Sequence, residues 1–163
     1  MKINRSKESI YQLLAQVPDP EIPVVNIIEM GMIRDVIVTP EKVEVFLCPT
    51  YSGCPAMDMI ESMVKEKLSA FGALNVLVTL VYKPAWTTDW INAQTKEKLR
   101  AFGIAPPVGK VLSKKSLLAN ETVACPQCRS ENTKIKSMFG STACKALYTC
   151  SDCLEPFDYF KCI

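Results

Sequence analysis

The sequence predicts an α+β fold: a compact domain with elements in the order α-β-β-α-β-α around a three-stranded sheet, followed by a small, cysteine-rich β domain. Three observations carry this. Apolar residues recur at helical spacing in three segments and at strand spacing in three others. A Pro106-Pro107-Val108-Gly109 break then interrupts the pattern, and two cysteine pairs, Cys125-x-x-Cys128 and Cys150-x-x-Cys153, stand beyond it.

A first helix is predicted over about 6–17, because Ile10, Leu13, Leu14 and Val17 share a face and Ser6 can cap its start. Three prolines within Pro18-Asp19-Pro20-Glu21-Ile22-Pro23 end it in a stiff extended segment. Two strands follow, Ile33–Thr39 and Lys42–Cys48, separated by Pro40-Glu41; Val43, Val45 and Leu47 alternate with Glu44, Phe46 and Cys48 as in a half-buried hairpin strand. Pro49–Pro55 reads as a loop. Met57, Ile60, Met63, Val64, Leu68 and Phe71 define a second helix over Pro55–Phe71, which Gly72 stops. Asn75–Tyr82 is the third strand. A third helix is expected from Thr88, as cap, through Leu99 and Phe102 to Gly103.

The domain assignment is then 1–107 for the α+β domain, 108–122 for a polar linker and 123–163 for the cysteine-rich domain. Lys134–Phe139, Ala146–Thr149 and Phe157–Phe160 are its three candidate strands. So short a segment cannot build a core unaided, and a bound metal would have to supply much of its folding free energy.

Composition narrows the function classes. The chain has no histidine, which excludes Ser-His-Asp and Cys-His catalysis and histidine-bound zinc hydrolysis. Residues 1–110 hold twelve basic and twelve acidic side chains and residues 111–163 hold seven and five, too even a balance for nucleic acid as the main partner. No apolar run reaches the roughly 20 residues of a membrane span, and Met1–Ser6 lacks a secretory core. The expectation is a cytoplasmic protein that binds neither membrane nor nucleic acid and whose eight cysteines stay reduced.

Reduced cysteines in pairs two residues apart read as metal ligands. Cys125, Cys128, Cys150 and Cys153, with 21 residues between the pairs, suit one tetrahedral ion, and four thiolates favour structural Zn²⁺ in a zinc ribbon. Cys144 and Cys162 exceed what one zinc needs. They are either buried fillers or additional ligands, the latter pointing to an iron–sulfur cluster in the tail.

In the first domain, Thr50-Tyr51-Ser52-Gly53-Cys54-Pro55 sets a thiol before a proline at a helix start. With Cys54 at the cap position, the helix dipole would lower its pKa, against the opposing charge of Asp58; the alternative is a structural cysteine in a turn. Asp19 and Glu21 are candidate acid, base or hard-metal groups, or merely solvated loop residues. Cys48 is expected to pack in its strand, with the option of approaching Cys54 across the loop. Trp86-Thr87-Thr88-Asp89-Trp90 reads as a helix cap with two core aromatics.

These segments also form a pattern. Asp19–Pro23, Met30-Gly31-Met32-Ile33, Pro49–Pro55, Pro84–Ile91 and Gly103–Pro107 together resemble the metal–sulfur cluster biosynthesis family. Phe139–Tyr148 and Glu155–Ile163 narrow the resemblance to the PaaD (PaaJ) family, the small accessory subunits of phenylacetyl-CoA epoxidase. The resemblance implies a role in aerobic phenylacetate degradation and in assembling or delivering iron or an iron–sulfur cluster. It makes Cys54 the functional thiol, with Asp19 and Glu21 beside it. The implied partners are subunits of the epoxidase complex (a di-iron oxygenase, a flavin and iron–sulfur reductase), the cluster assembly machinery, or a second copy of the chain as a homodimer. Cys48 stands where the family would have threonine. On this reading the chain is not catalytic alone. Two other readings remain open: a stoichiometric electron-transfer component of the oxygenase complex, and a zinc-ribbon protein-binding adaptor.

Overall fold

The computed structural model describes residues 6–108 and 122–161. Cys162 and nearly all of the expected linker lie outside them. Two compact units result, one ending at Trp86 and the other beginning at Thr87.

The first unit opens with α1 (Lys7–Leu14). Ser6 caps it as predicted, its Oγ accepting from the Ser9 amide at 3.2 Å. The helix stops before Val17 because the Gln16 and Val17 amides bond three residues back, to Leu13 and Leu14, tightening the last turn. Strands β1 (Ile33–Val38) and β2 (Val43–Leu47) form an antiparallel hairpin. It is closed by Thr39, which exchanges bonds with Lys42. Val43, Val45 and Leu47 are buried and Glu44 and Phe46 half-buried, the alternation read from the sequence.

Strand β3 (Val76–Leu80) runs parallel to β2, opposing Val78 to Val45. A parallel neighbour needs a crossover, and α2 (Met57–Ala70) supplies it. Met57, Ile60, Val64 and Leu68 form its buried stripe. At its end Gly72 adopts φ +91°, the Gly72 amide bonds Ser69 and the Ala73 amide reaches Leu68, a Schellman closure that glycine permits. Helix α1 packs on α2 and β1, and α2 on β3, so the core lies between the helices and one sheet face.

The second unit departs from the single helix expected at Thr88. A short 3-10 turn, Thr88–Trp90, is capped by Thr87, and a separate helix α3 (Ala93–Ala101) is capped by Asn92, whose Oδ1 accepts from the Thr95 amide at 2.8 Å. Ile91 between them is extended, so the segment holds two caps and two starts. After Gly103, at φ +94°, comes β4 (Ile104–Ala105). Strands β5 (Thr133–Ser137), β6 (Lys145–Cys150) and β7 (Pro156–Phe160) complete a four-stranded sheet of order β4-β7-β6-β5. The three C-terminal strands overlap the segments predicted for them, except that β5 stops at Ser137, two residues short of Phe139. β4 pairs parallel to β7 at Asp158 and Tyr159, and the packing division falls after Trp86.

The core of this sheet is Ala105, Val123, Cys125, Ala146, Cys150, Phe157 and Tyr159, with Tyr148 stacked on Phe157 and edge-on to Tyr159. Among the described residues, no helix is long and apolar enough to cross a membrane.

Candidate functional site

Two sites emerge, one in each unit. In the second unit, Cys125, Cys128, Cys150 and Cys153 bring their sulfurs within 4.8 Å of one another, as their spacing predicted. The two pairs close alike. The Cys125 amide bonds the Ser130 carbonyl at 2.9 Å and the Cys150 amide the Glu155 carbonyl at 3.0 Å, each five residues on. Each turn is completed by a residue at φ 65°, Arg129 in one and Leu154 in the other. Glycine favours this conformation, so both side chains carry local strain to close the turn. Asp152 ties the turns together by accepting from the Ser130 hydroxyl and from Asn132 Nδ2.

The donor set fits a metal. Bonds of about 2.3 Å in a tetrahedron place sulfurs about 3.8 Å apart; Cys125 and Cys153 are 3.7 Å apart and Cys128 and Cys150 3.5 Å. Four thiolates this close repel one another, so without a cation they do not ionise together. The Cys153 and Asp152 amides bring Cys150 down to about 7. Cys153 is favoured as thiolate by the Glu155 amide, yet burial and the neighbouring sulfurs push it up to about 12. A divalent cation would remove this conflict by drawing all four to thiolate. Cys144 is not part of the cluster. It is buried at the far end of β6, its sulfur 3.0 Å from the Thr142 hydroxyl.

In the first unit Cys54 is not a helix cap. Helix α2 begins at Met57 with Ala56 at its cap position, leaving Cys54 in the preceding turn, its carbonyl accepting from the Met57 amide. The expected pKa depression is reversed. Burial raises the thiol pKa, and the carboxylates of Glu21 and Asp19 raise it further, against bonds from the Ala56 amide and Tyr51. The structure thus brings Cys54 within electrostatic reach of both acidic residues. Tyr51 is a contributor that sequence reasoning missed, although it lies only three residues earlier in the same loop.

Asp19 is no solvated loop residue. It is buried, and its Oδ1 accepts from the Glu21 and Ile22 amides at 2.8 and 2.9 Å, fixing the proline segment around it. Cys48 lies one residue past the end of β2 and is buried, its sulfur against the carbonyls of Pro49 and Pro84, and burial raises its pKa as well. Both thiols are free. Because the Cys54 pKa is raised, its alkylation by iodoacetamide at pH 7 should be slower than that of a free thiol, rising with pH through and beyond the ordinary thiol range. A rate already at its plateau at pH 7 would contradict the burial, and the smaller effect of the two carboxylates, that raise the Cys54 pKa.

Comparison with known proteins separates the same two parts. Residues 7–78 match a family described as iron-sulfur cluster assembly protein, and residues 110–161 match one described as PaaD zinc beta ribbon domain. An Escherichia coli protein provisionally named as one of the subunits of 1,2-phenylacetyl-CoA epoxidase is 49% identical over 94% of this chain and 92% of its own. A Porphyromonas gingivalis Fe-S protein maturation auxiliary factor is 37% identical over 50% of this chain and 79% of its own. Among solved structures, a Bacillus anthracis domain of unknown function, DUF59, aligns with TM-score 0.54 at 28% identity, covering 57% of this chain and 90% of that one. A conserved hypothetical protein of Thermotoga maritima aligns with TM-score 0.53 at 28% identity, covering 61% and 98%.

Proposed function

The chain belongs to the PaaD family, in which an iron–sulfur cluster assembly domain precedes a zinc beta ribbon, and on that premise we propose that it is an accessory subunit of a phenylacetyl-CoA epoxidase system that passes iron or an iron–sulfur cluster to the oxygenase or its reductase. The observation that carries this is the thiol of Cys54 with Glu21 and Asp19 close enough to raise its pKa.

That arrangement suits a cargo held briefly. An incoming ferrous ion displaces the thiol proton and takes sulfur and carboxylate donors; the two acidic residues that disfavour an empty thiolate favour a bound cation. The raised pKa means that a proton competes with the metal, which weakens retention and eases release to a client. One thiol is too few to hold a cluster alone, so the remaining ligands come from a client or from Cys54 of a second copy in a homodimer. Asp19 Oδ1 already accepts from the Glu21 and Ile22 amides, which fixes the orientation of its carboxylate in the loop.

The zinc ribbon has a different part. Its four thiols hold Zn²⁺ with no position left for a substrate, so the ion is structural and the chemistry lies with Cys54. The chain has no catalytic turnover of its own on this reading.

The test is zinc, iron and acid-labile sulfide in protein purified without oxygen, wild type beside Cys54→Ser. One zinc with substoichiometric iron and sulfide that disappear in the variant is the expected result. Stoichiometric iron and sulfide indifferent to Cys54 would move the chemistry to the tail, making the chain an electron-transfer component. Zinc alone in both proteins would leave a zinc-ribbon adaptor.

A further inference from the structure

The sheet of the second unit ends at β5, whose outer side carries no strand among the described residues. Its register with β6 slips between Ile135 and Ser137, leaving Lys136 as the extra residue of a bulge. Beyond it the chain carries Met138 and Phe139 onto the surface. Ile135, Met138 and Phe139 are 47%, 42% and 66% exposed, a cluster of large apolar side chains within five residues of sequence.

This cluster is held, not loose. The Lys161 ammonium sits 4.7 Å from the Phe139 ring centroid and donates to the Met138 carbonyl at 3.0 Å. Gly140 is clamped next to it: its amide bonds the Lys145 carbonyl at 2.7 Å, and a Cβ there would lie 2.5 Å from Asp158 Oδ1. Asp158 Oδ2 in turn accepts from the Ser141 hydroxyl at 2.9 Å and faces the buried Lys145 Nζ at 3.6 Å. A pre-positioned aromatic with apolar neighbours is the composition of a binding anchor, and its ordering cost is met before any partner arrives.

Charge selects the partner. Between residues 129 and 139, Arg129, Lys134 and Lys136 stand against Glu131 alone. Lysines on an edge strand oppose pairing with the same edge of a second copy, which carries the same sign. The chain's own 109–121 segment is an equally poor occupant, with Lys110, Lys114 and Lys115 against Glu121. A nucleic acid would want several aromatic platforms along a cationic track, and here one exposed ring stands beside aliphatic side chains.

We propose that the β5 edge, with Ile135, Met138 and Phe139 as apolar anchors and Lys134 and Lys136 as flanking charges, docks an acidic segment of a partner protein that alternates carboxylate and aliphatic side chains. The surface belongs to the second unit and Cys54 to the first, so this inference stands whether or not that thiol handles iron.

The test uses the full, zinc-loaded chain labelled with ¹⁵N and an acetylated nonapeptide alternating glutamate with valine. Amide shifts concentrated in residues 133–139 are expected, with affinity falling about ten-fold in Phe139→Ala, the size of effect an anchor residue carries. A Lys134→Glu, Lys136→Glu variant should lose the peptide while keeping its zinc, and the same peptide with lysine for glutamate should not bind. The proposal is overturned by shifts elsewhere, by equal binding of the two peptides, by a dT12 oligonucleotide binding the same residues more tightly, or by self-association that occupies the edge without peptide.

Discussion

Removing the metal from the second unit, by chelation or by Cys150→Ser, should abolish its folding while the first unit survives. Structural Zn²⁺ contributes about 10–16 kcal/mol in zinc-finger peptides, whereas a whole domain is usually stable by about 5–15 kcal/mol. The apolar cluster around Phe157 and Tyr159 is small, and two of its members are the ligands Cys125 and Cys150. Loss of the ion therefore removes a cross-link and leaves four sulfurs, two of them in the core, with no cation to hold them together. Amide spectra before and after chelation check this: resonances of β5–β7 should collapse toward unfolded positions, with those of β1–β3 unmoved. Retained dispersion throughout would show that packing alone sustains the ribbon.

The second large effect is expected at Trp86. Its indole is buried, and Nε1 donates to the Met30 carbonyl at 2.8 Å, joining the end of the first unit to the turn before β1. Trp86→Ala should cost about 3–5 kcal/mol through lost packing and the cavity left behind. Trp86→Phe keeps most of the packing and strands the Met30 carbonyl, at about 1–3 kcal/mol. Urea titrations of the first unit's transition distinguish these. A phenylalanine variant equal to wild type would mean that water replaces the indole as donor to Met30.

Much of the architecture was legible because it rests on local signals. Ser6, the alternating Val43, Val45 and Leu47, and the helical stripe Ile60, Val64 and Leu68 each appear as a pattern within a few residues. The cysteine pairs were legible because ligand spacing is a covalent constraint that tertiary packing can only satisfy. What could not be read depended on distant partners. The pairing of Ile104 and Ala105 with Asp158 and Tyr159 joins segments far apart in the chain, and no local pattern announces it. Two caps crowd the segment after Trp86, and a helix pattern cannot tell which one nucleates. The direction of the Cys54 shift was misread for the same reason. The helix start was visible in sequence, but the burial and the two carboxylates from another loop that outweigh it were not.

The matched closure of the two cysteine turns bears on the order in which the second unit assembles. Each turn is completed by its own main chain within six residues, so either can form in an otherwise open polypeptide at small entropic cost. The long hairpin between them has to be closed only once, and an ion already seated on one turn can capture the other. Metal capture then becomes the commitment step: refolding of this unit should accelerate with zinc concentration until closure of the hairpin itself sets the pace.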